Sequence, residues 1–269
     1  VSLGGDGIDI SSDAGIQGLA SIDLASAAES TGGANWTRAT ATSNAGTLQG
    51  AELNSLTDIG GVGSVAGSTD LSSSAAANNV TGTAQGLSTL ATAEGLDLDN
   101  TLNIASDASV SGIAGINSSA DATTTAGTAD ADATSTTISG ADLSGGLIDF
   151  GGIGSIAGQA NFGLSASSSN VSGTSTADAG STTASGLIGK GTSASTFGID
   201  VASDSGLSGM AIGSLTADAS STAGAASATA GDGDSAIGAQ LPSLNVGGIS
   251  DLTGAAQLDS SATASNVGG

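Results

Sequence analysis

Apolar and small residues fall on alternate positions through long stretches of this chain. From Ile156 to Ala166, the residues Ile156, Gly158, Ala160, Phe162, Leu164 and Ala166 share one face. From Ile116 to Thr128, the corresponding set is Ile116, Ser118, Ala120, Ala122, Thr124, Ala126 and Thr128. A period of two is that of an extended strand, whose successive side chains point to opposite sides. No window sustains a 3.6-residue apolar stripe, and 45 glycines with dense Ser and Thr depress helical propensity almost everywhere. The faces are small and flat, so packed sheets are expected to approach closer than the usual ~10 Å. The pairs Gly60-Gly61, Gly151-Gly152 and Gly247-Gly248 are read as tight bends. The pattern predicts several short strands joined by Gly/Ser/Asn turns.

A longer period overlies the alternation. An Asp or Asn followed by an apolar residue recurs at Asp9-Ile10, Asp58-Ile59, Asn103-Ile104, Asp149-Phe150, Asp200-Val201 and Asn245-Val246. The intervals are 49, 45, 46, 51 and 45 residues. Two module types alternate. One reads Asp58-Ile-Gly-Gly-Val-Gly-Ser-Val-Ala-Gly67 and returns at Asp149–Gly158 and Asn245–Gly254; a Gly-Ala-acidic/Gln-Leu lead-in (Gly50, Gly140, Gly238) precedes it, and an Asn-Val pair (Asn79, Asn170, Asn266) follows. The other reads Asp9-Ile-Ser-Ser-Asp-Ala-Gly-Ile-Gln-Gly18 and returns at Asn103–Gly112 and Asp200–Gly209. A module of this length cannot bury its faces alone, whereas stacked neighbours bury them jointly. The expected fold is therefore all-β, a single repeat domain over 1–269. It is a wide β-solenoid or a set of cross-β-like layers, with six modules of about 47 residues near 1–49, 50–94, 95–139, 140–187, 188–237 and 238–269. Six layers at ~4.7–4.9 Å each span roughly 28 Å.

Composition narrows the chemistry. Leu, Ile, Val and Phe make up about 19 % of the residues, and the net charge is −23, values near those of disordered chains. Ordering must lean on backbone hydrogen bonds and close stacking of small side chains. The chain lacks His and Cys, which excludes His/Cys zinc sites, a His-based catalytic triad, a thiol nucleophile and His- or Cys-ligated haem. Arg38 and Lys190 are the only cations, so no basic stripe exists to neutralise phosphates and nucleic acid is not an expected partner. No run of about 18 apolar residues is present, so membrane insertion by a helix is not expected. Paired carboxylates could serve glycoside hydrolysis, but they are scattered over a repeating scaffold with few aromatics, and no enzyme is expected. The Thr positions, such as Thr123 to Thr125, lack the strict short period of an ice-binding face.

Calcium is the one cofactor the residues admit, because hard oxygen ligands abound. The candidates are Asp6, Asp9 and Asp13, Asp97 and Asp99, Asp130 and Asp132, Asp200 and Asp204, and Asp232 and Asp234. The alternative for all of them is solvated charge that keeps the protein soluble. The Asp or Asn before each apolar residue is read as turn-shaping, since short Asx side chains bond nearby backbone. Carboxylates in register on adjacent layers repel by on the order of 1 kcal/mol even in water, and alternating module types are expected to keep equivalent residues two layers apart.

Residues Gly4-Gly5-Asp6-Gly7-Ile8-Asp9-Ile10-Ser11 resemble one calcium-binding RTX nonapeptide; the match covers one repeat, so a tandem calcium roll is not expected. Over its whole length the chain resembles, in composition, secreted bacterial extracellular-matrix fibre proteins of the functional-amyloid or β-solenoid type. The resemblance rests on Gly/Ser/Ala/Asp-rich imperfect repeats without Cys and on turns such as Asn170-Val171-Ser172-Gly173. It implies an extracellular or cell-surface location and a structural role in adhesion, protection or biofilm. With no capping element at either end, exposed strand edges are expected to template another copy of the chain, making the partner the protein itself.

Overall fold

The computed structural model describes residues 2–3, 7–31, 38–145, 147–180, 182–189, 198–241 and 244–268. Among these residues seventeen strands follow one another: β1 (Ser2–Leu3), β2 (Ile8–Ile10), β3 (Ala14–Ser30), β4 (Arg38–Ala45), β5 (Leu48–Leu53), β6 (Thr57–Ile59), β7 (Gly63–Leu98), β8 (Leu102–Ile104), β9 (Ala108–Leu143), β10 (Ile148–Phe150), β11 (Gly154–Gly180), β12 (Thr183–Gly189), β13 (Ile199–Val201), β14 (Ser205–Ala230), β15 (Ser235–Gln240), β16 (Leu244–Val246) and β17 (Ser250–Asn266). Among the described residues there is no helix. Every strand pairing is parallel and joins one turn of the chain to the next: β3 to β7, β7 to β9, β9 to β11, β11 to β14, β14 to β17. The three-residue strands form a separate ladder in the order β2, β6, β8, β10, β13, β16. In that ladder Asp9 pairs with Asp58, Asp58 with Asn103, Asn103 with Asp149, Asp149 with Asp200, and Asp200 with Asn245. The sequence repeat is thus the register of the stack, and the fold is a wide all-β solenoid built from stacked layers.

Each layer has a head and an arm. In the second layer β6 forms one side of the head and Gly60-Gly61 a corner, after which β7 runs out along the arm, reverses near Gly82, and returns to Leu98. The arm is not divided into short strands as the alternation suggested. Because every layer reverses at the same place, the ladder to the neighbouring layers continues through the bend, and β7 and β9 each run for 36 residues. Gly82, Gly127 and Gly173 occupy the tip with φ of 108°, 123° and 130°, a region that side chains rarely enter. The Asn-Val pairs sit beside this reversal. Asn79 Nδ2 donates to Thr83 O at 2.9 Å, and Asn170 Nδ2 to Thr174 O at 3.0 Å, while Asn170 Oδ1 accepts from Ser172 N at 2.9 Å.

Two cores result. The head encloses larger side chains, among them Leu53, Ile59, Val65, Leu98, Leu102, Ile104, Phe150 and Ile156. The arm encloses mainly alanines with a few larger residues such as Leu71, Leu90, Ile116 and Phe162. Between them the two runs of each layer touch backbone to backbone. A Cβ placed on Gly67 would lie 1.9 Å from Gly95 O, and the same 1.9 Å separates Gly112 from Gly140 O, Gly158 from Gly186 O and Gly209 from Gly238 O. Only glycine permits that approach. Gly50, Gly140 and Gly238, the first residues of the repeated lead-in, are therefore half of a glycine waist running the length of the stack.

One set of buried serines in the arm is satisfied by mutual hydrogen bonds, while Thr69 Oγ1 and Ser135 Oγ are buried without a partner among the described residues. Ser73 Oγ donates to Ser43 Oγ at 2.7 Å, Ser88 Oγ to Ser73 Oγ at 2.8 Å, and Ser118 Oγ to Ser88 Oγ at 2.8 Å. This zigzag of hydroxyls links three layers across the narrow core, where an unpaired hydroxyl would be costly.

The alternation of module types also has a structural cause. Asp13 Oδ1 accepts from Val62 N at 2.8 Å, Asp107 Oδ1 from Ile153 N at 2.9 Å, and Asp204 Oδ1 from Ile249 N at 2.8 Å. Each bond runs from an Asp-bearing corner in one layer to a Gly-Gly corner in the next. A Cβ on Gly61, Gly152 or Gly248 would fall 2.1, 2.3 or 2.2 Å from that carboxylate oxygen. Carboxylate and glycine are complementary, so layers come as ordered pairs.

Candidate functional site

The stack gathers acidic side chains into columns. Where one chain crosses from arm to head, Glu52 pairs with Asp97 and Asp97 with Asp142 on successive layers. Glu52, Asp97 and Asp99 hold carboxylate oxygens within 4.8 Å of one another, the one such trio among the described residues. Gln49 Nε2 donates to Glu94 at 2.8 Å and to Asp97 at 3.1 Å, and Asn54 Nδ2 to Glu52 at 2.7 Å. These neutral donors offset only part of the repulsion. Burial, then the charges of Asp99, Glu94, Asp142 and Glu52, push the Asp97 carboxyl up to about 7.

A second group lies along the return run of the arm. Burial raises the Asp132 carboxyl, helped by Asp178 and Asp130, and raises Asp178, helped by Asp232 and Asp130. Asp234 is raised by burial and by Asp178 and Asp232, against a hydrogen bond that its carboxylate accepts from Thr182 N. The fold thus brings together Asp130, Asp132, Asp232 and Asp234, and adds Asp178, which sequence reasoning missed. Glu52 was missed in the same way. Glu52, Asp97 and Asp142 do recur at the 45-residue interval of the modules, a signal that places them together only once the register of the stack is known.

The remaining candidates are placed differently. Asp6 lies outside the described residues. Asp13 and Asp204 cap the corners of the following layers, and neither belongs to a three-carboxylate cluster among the described residues. Asp9 stacks on Asp58, and Asp200 on Asp149, in the middle of the three-residue ladder; Asn245 Nδ2 donates to Asp200 Oδ1 at 3.0 Å. Two expectations are corrected here. The turn-shaping assigned to the residue before each apolar position is carried instead by Asp13, Asp107 and Asp204. Alternating modules also do not keep like charges two layers apart, because the Asp/Asn position is common to both types. Of the trio, Glu52 and Asp97 are half-buried, Asp99 is exposed, and hard cations are what such oxygen donors would accept.

The end layers are the other candidate surface. All of β17 is exposed, and β3 is paired only with β7. Side chains that are buried in the middle layers are left open there, including Leu252 at 53 % exposure and Leu258 and Ile22 at 37 %. Along one flank of the waist Ile113, Gln159, Met210 and Ala255 line a shallow groove of about 410 Å³. Comparison with family models, with curated proteins and with solved structures returned no match.

Proposed function

We propose that this chain is a non-enzymatic structural subunit of an extracellular or cell-surface filament, tube or sheath, polymerising by stacking copies of itself. One observation carries this reading: a parallel, in-register ladder runs through all the described layers, and its outermost strands β3 and β17 are each paired on one side only, with core columns open there. Unpaired parallel edges are templates for further strands. The absence of His and Cys and the large negative charge accord with a scaffold outside the cell, in the matrix or on its surface. Incubation of the purified chain followed by negative-stain microscopy tests the reading: long filaments with a regular repeat are expected, and short isolated rods at every concentration overturn it. A second reading, a non-polymerising β-solenoid adhesin, is favoured by the groove along the waist, and isolated rods would support it. No metal is required by this reading, so the melting midpoint in EDTA is expected to equal that in buffer; a rise with calcium that EDTA reverses makes the Glu52, Asp97 and Asp99 trio a cation site.

A further inference from the structure

We infer that the two end layers form a specific head-to-tail interface, in which β17 of one copy pairs in parallel with β3 of the next in the register Ser250 to Ala14 through Asn266 to Ser30. This rests on the polymer reading and specifies its contact. The register follows from the stack itself. Ala14, Gly63, Ala108, Gly154, Ser205 and Ser250 occupy one column, as do Ser30, Asn79, Thr124, Asn170, Ser221 and Asn266. β3 and β17 each hold 17 residues and cover the same stretch of the layer.

Three independent features match across that junction. The first is the alternation of corners. The last layer carries the Gly247-Gly248 corner and the first carries Asp13, so the junction repeats the order found between the second and third layers and between the fourth and fifth. In those, Ala105 N donates to Ile59 O at 2.9 Å and Gly63 N to Asp107 O at 3.0 Å, with Ala202 N to Phe150 O at 2.8 Å and Gly154 N to Asp204 O at 3.0 Å. The equivalent bonds at the junction run from Ser11 N of the next copy to Val246 O, and from Ser250 N to Asp13 O of the next copy. The second is the three-residue ladder, which reads Asp, Asp, Asn, Asp, Asp, Asn along the stack. Placing Asn245 against the next copy's Asp9 repeats the step from Asn103 to Asp149. The third is the core. Leu252 continues onto Ile16, Gly254 onto Gly18, Ala256 onto Ala20 and Leu258 onto Ile22, so aliphatic meets aliphatic and the waist stays glycine.

One pair opposes the contact. The same register sets Asp259 against the next copy's Asp23, two exposed carboxylates one layer apart. Asp259 accepts from Gln257 Nε2 at 2.8 Å and Asp23 from Ser72 Oγ at 2.6 Å, and neither partner is cationic. The pair therefore acts as a charge gate on elongation, opened by salt or by neutralising one member.

Cysteine cross-linking reads the register directly, because the chain has no cysteine of its own. Ser261 and Ala25 are outward residues of the same column, and neighbouring strands hold their Cα atoms at a separation that a disulfide spans. The double variant Ser261→Cys with Ala25→Cys is expected to give a ladder of covalent oligomers under oxidation, while Ser261→Cys with Glu29→Cys, four residues out of register, gives monomer. In a cysteine-free background, Asp259→Asn is expected to lower the critical concentration for assembly about fourfold at low ionic strength and by much less in 1 M salt. Filaments with no cross-link in the first variant, or with equal cross-linking in both, would overturn the register and leave the polymer reading standing. Absence of filaments and of cross-links in all variants overturns both. An unchanged critical concentration for Asp259→Asn with the cross-link intact removes the gate alone.

Discussion

The glycine waist makes the sharpest demand on the sequence, and Gly112→Ala in the third layer tests it. The added Cβ would sit 1.9 Å from Gly140 O and 2.6 Å from Gly140 C, where an ordinary carbon–oxygen contact is about 3.3 Å. Relief requires the two runs of the layer to separate by roughly 1.4 Å, and both obstructing atoms are backbone. Neither can swing away as a side-chain end would, and the layers above and below hold the same spacing through Gly67 and Gly158. Ordinary overpacking in a core costs about 1–3 kcal/mol. A backbone-on-backbone overlap held from both sides belongs to the rare class above about 4 kcal/mol. Gly115→Ala is the matched control. It lies three residues away in the same strand, and its Cβ would meet nothing nearer than Asp70 Oδ1 at 3.5 Å; there the loss of chain freedom in the unfolded state predicts no loss of stability or a small gain. Urea unfolding followed by circular dichroism compares the two midpoints. Equal midpoints for Gly112→Ala and Gly115→Ala would refute the idea that the waist sets the spacing of the layers.

Other substitutions probe the remaining devices. Ser88→Ala removes the middle hydroxyl of the Ser73–Ser88–Ser118 chain and is expected to cost about 1–3 kcal/mol in the same urea assay, with no loss indicating that water or other partners replace it. Asp107→Ala frees Ile153 N, which lies at an exposed corner, so the expected loss is only about 1 kcal/mol, and Asp107→Asn, which retains an acceptor, should recover part of it. The Asp97 carboxyl is raised to about 7 by burial and by its acidic neighbours. Its folded form holds the proton more tightly than the unfolded chain does, so its contribution is favourable at low pH and is lost as pH climbs from about 4 through 7. Asp97→Asn should flatten that part of the stability profile and raise the unfolding free energy at pH 8 by on the order of 1–2 kcal/mol after screening at a half-buried site; an unfolding free energy at pH 8 unchanged from the parent chain would contradict the assignment.

The period and its register were legible because they are written by residues that must recur: the Asp or Asn ahead of each apolar position marks one strand of the ladder, and the paired glycines mark its corners. The arm was less legible. Its reversal leaves the alternation of small residues almost undisturbed, and its signal is a single glycine, Gly82 and its equivalents Gly127 and Gly173, in a chain where glycine is common. The waist was present in the lead-in motif but could not be interpreted there, because the meaning of Gly140 depends on Gly112, which arrives by a different route through the layer. The acidic columns were half visible. Neighbours in sequence such as Asp97 and Asp99 were found, while Glu52 and Asp178 join through the stack and need the register before they can be placed.

The carboxylate of Asp107 reaching into the corner left empty by Gly152 gives the solenoid a reading direction along its axis. A chain of this kind cannot gain or lose one turn without setting two carboxylate corners, or two empty ones, on adjacent levels. Lengthening by duplication is therefore tolerated two turns at a time, and a splice that removes an odd number of turns should leave a single weak plane at which the rod parts under heat or force.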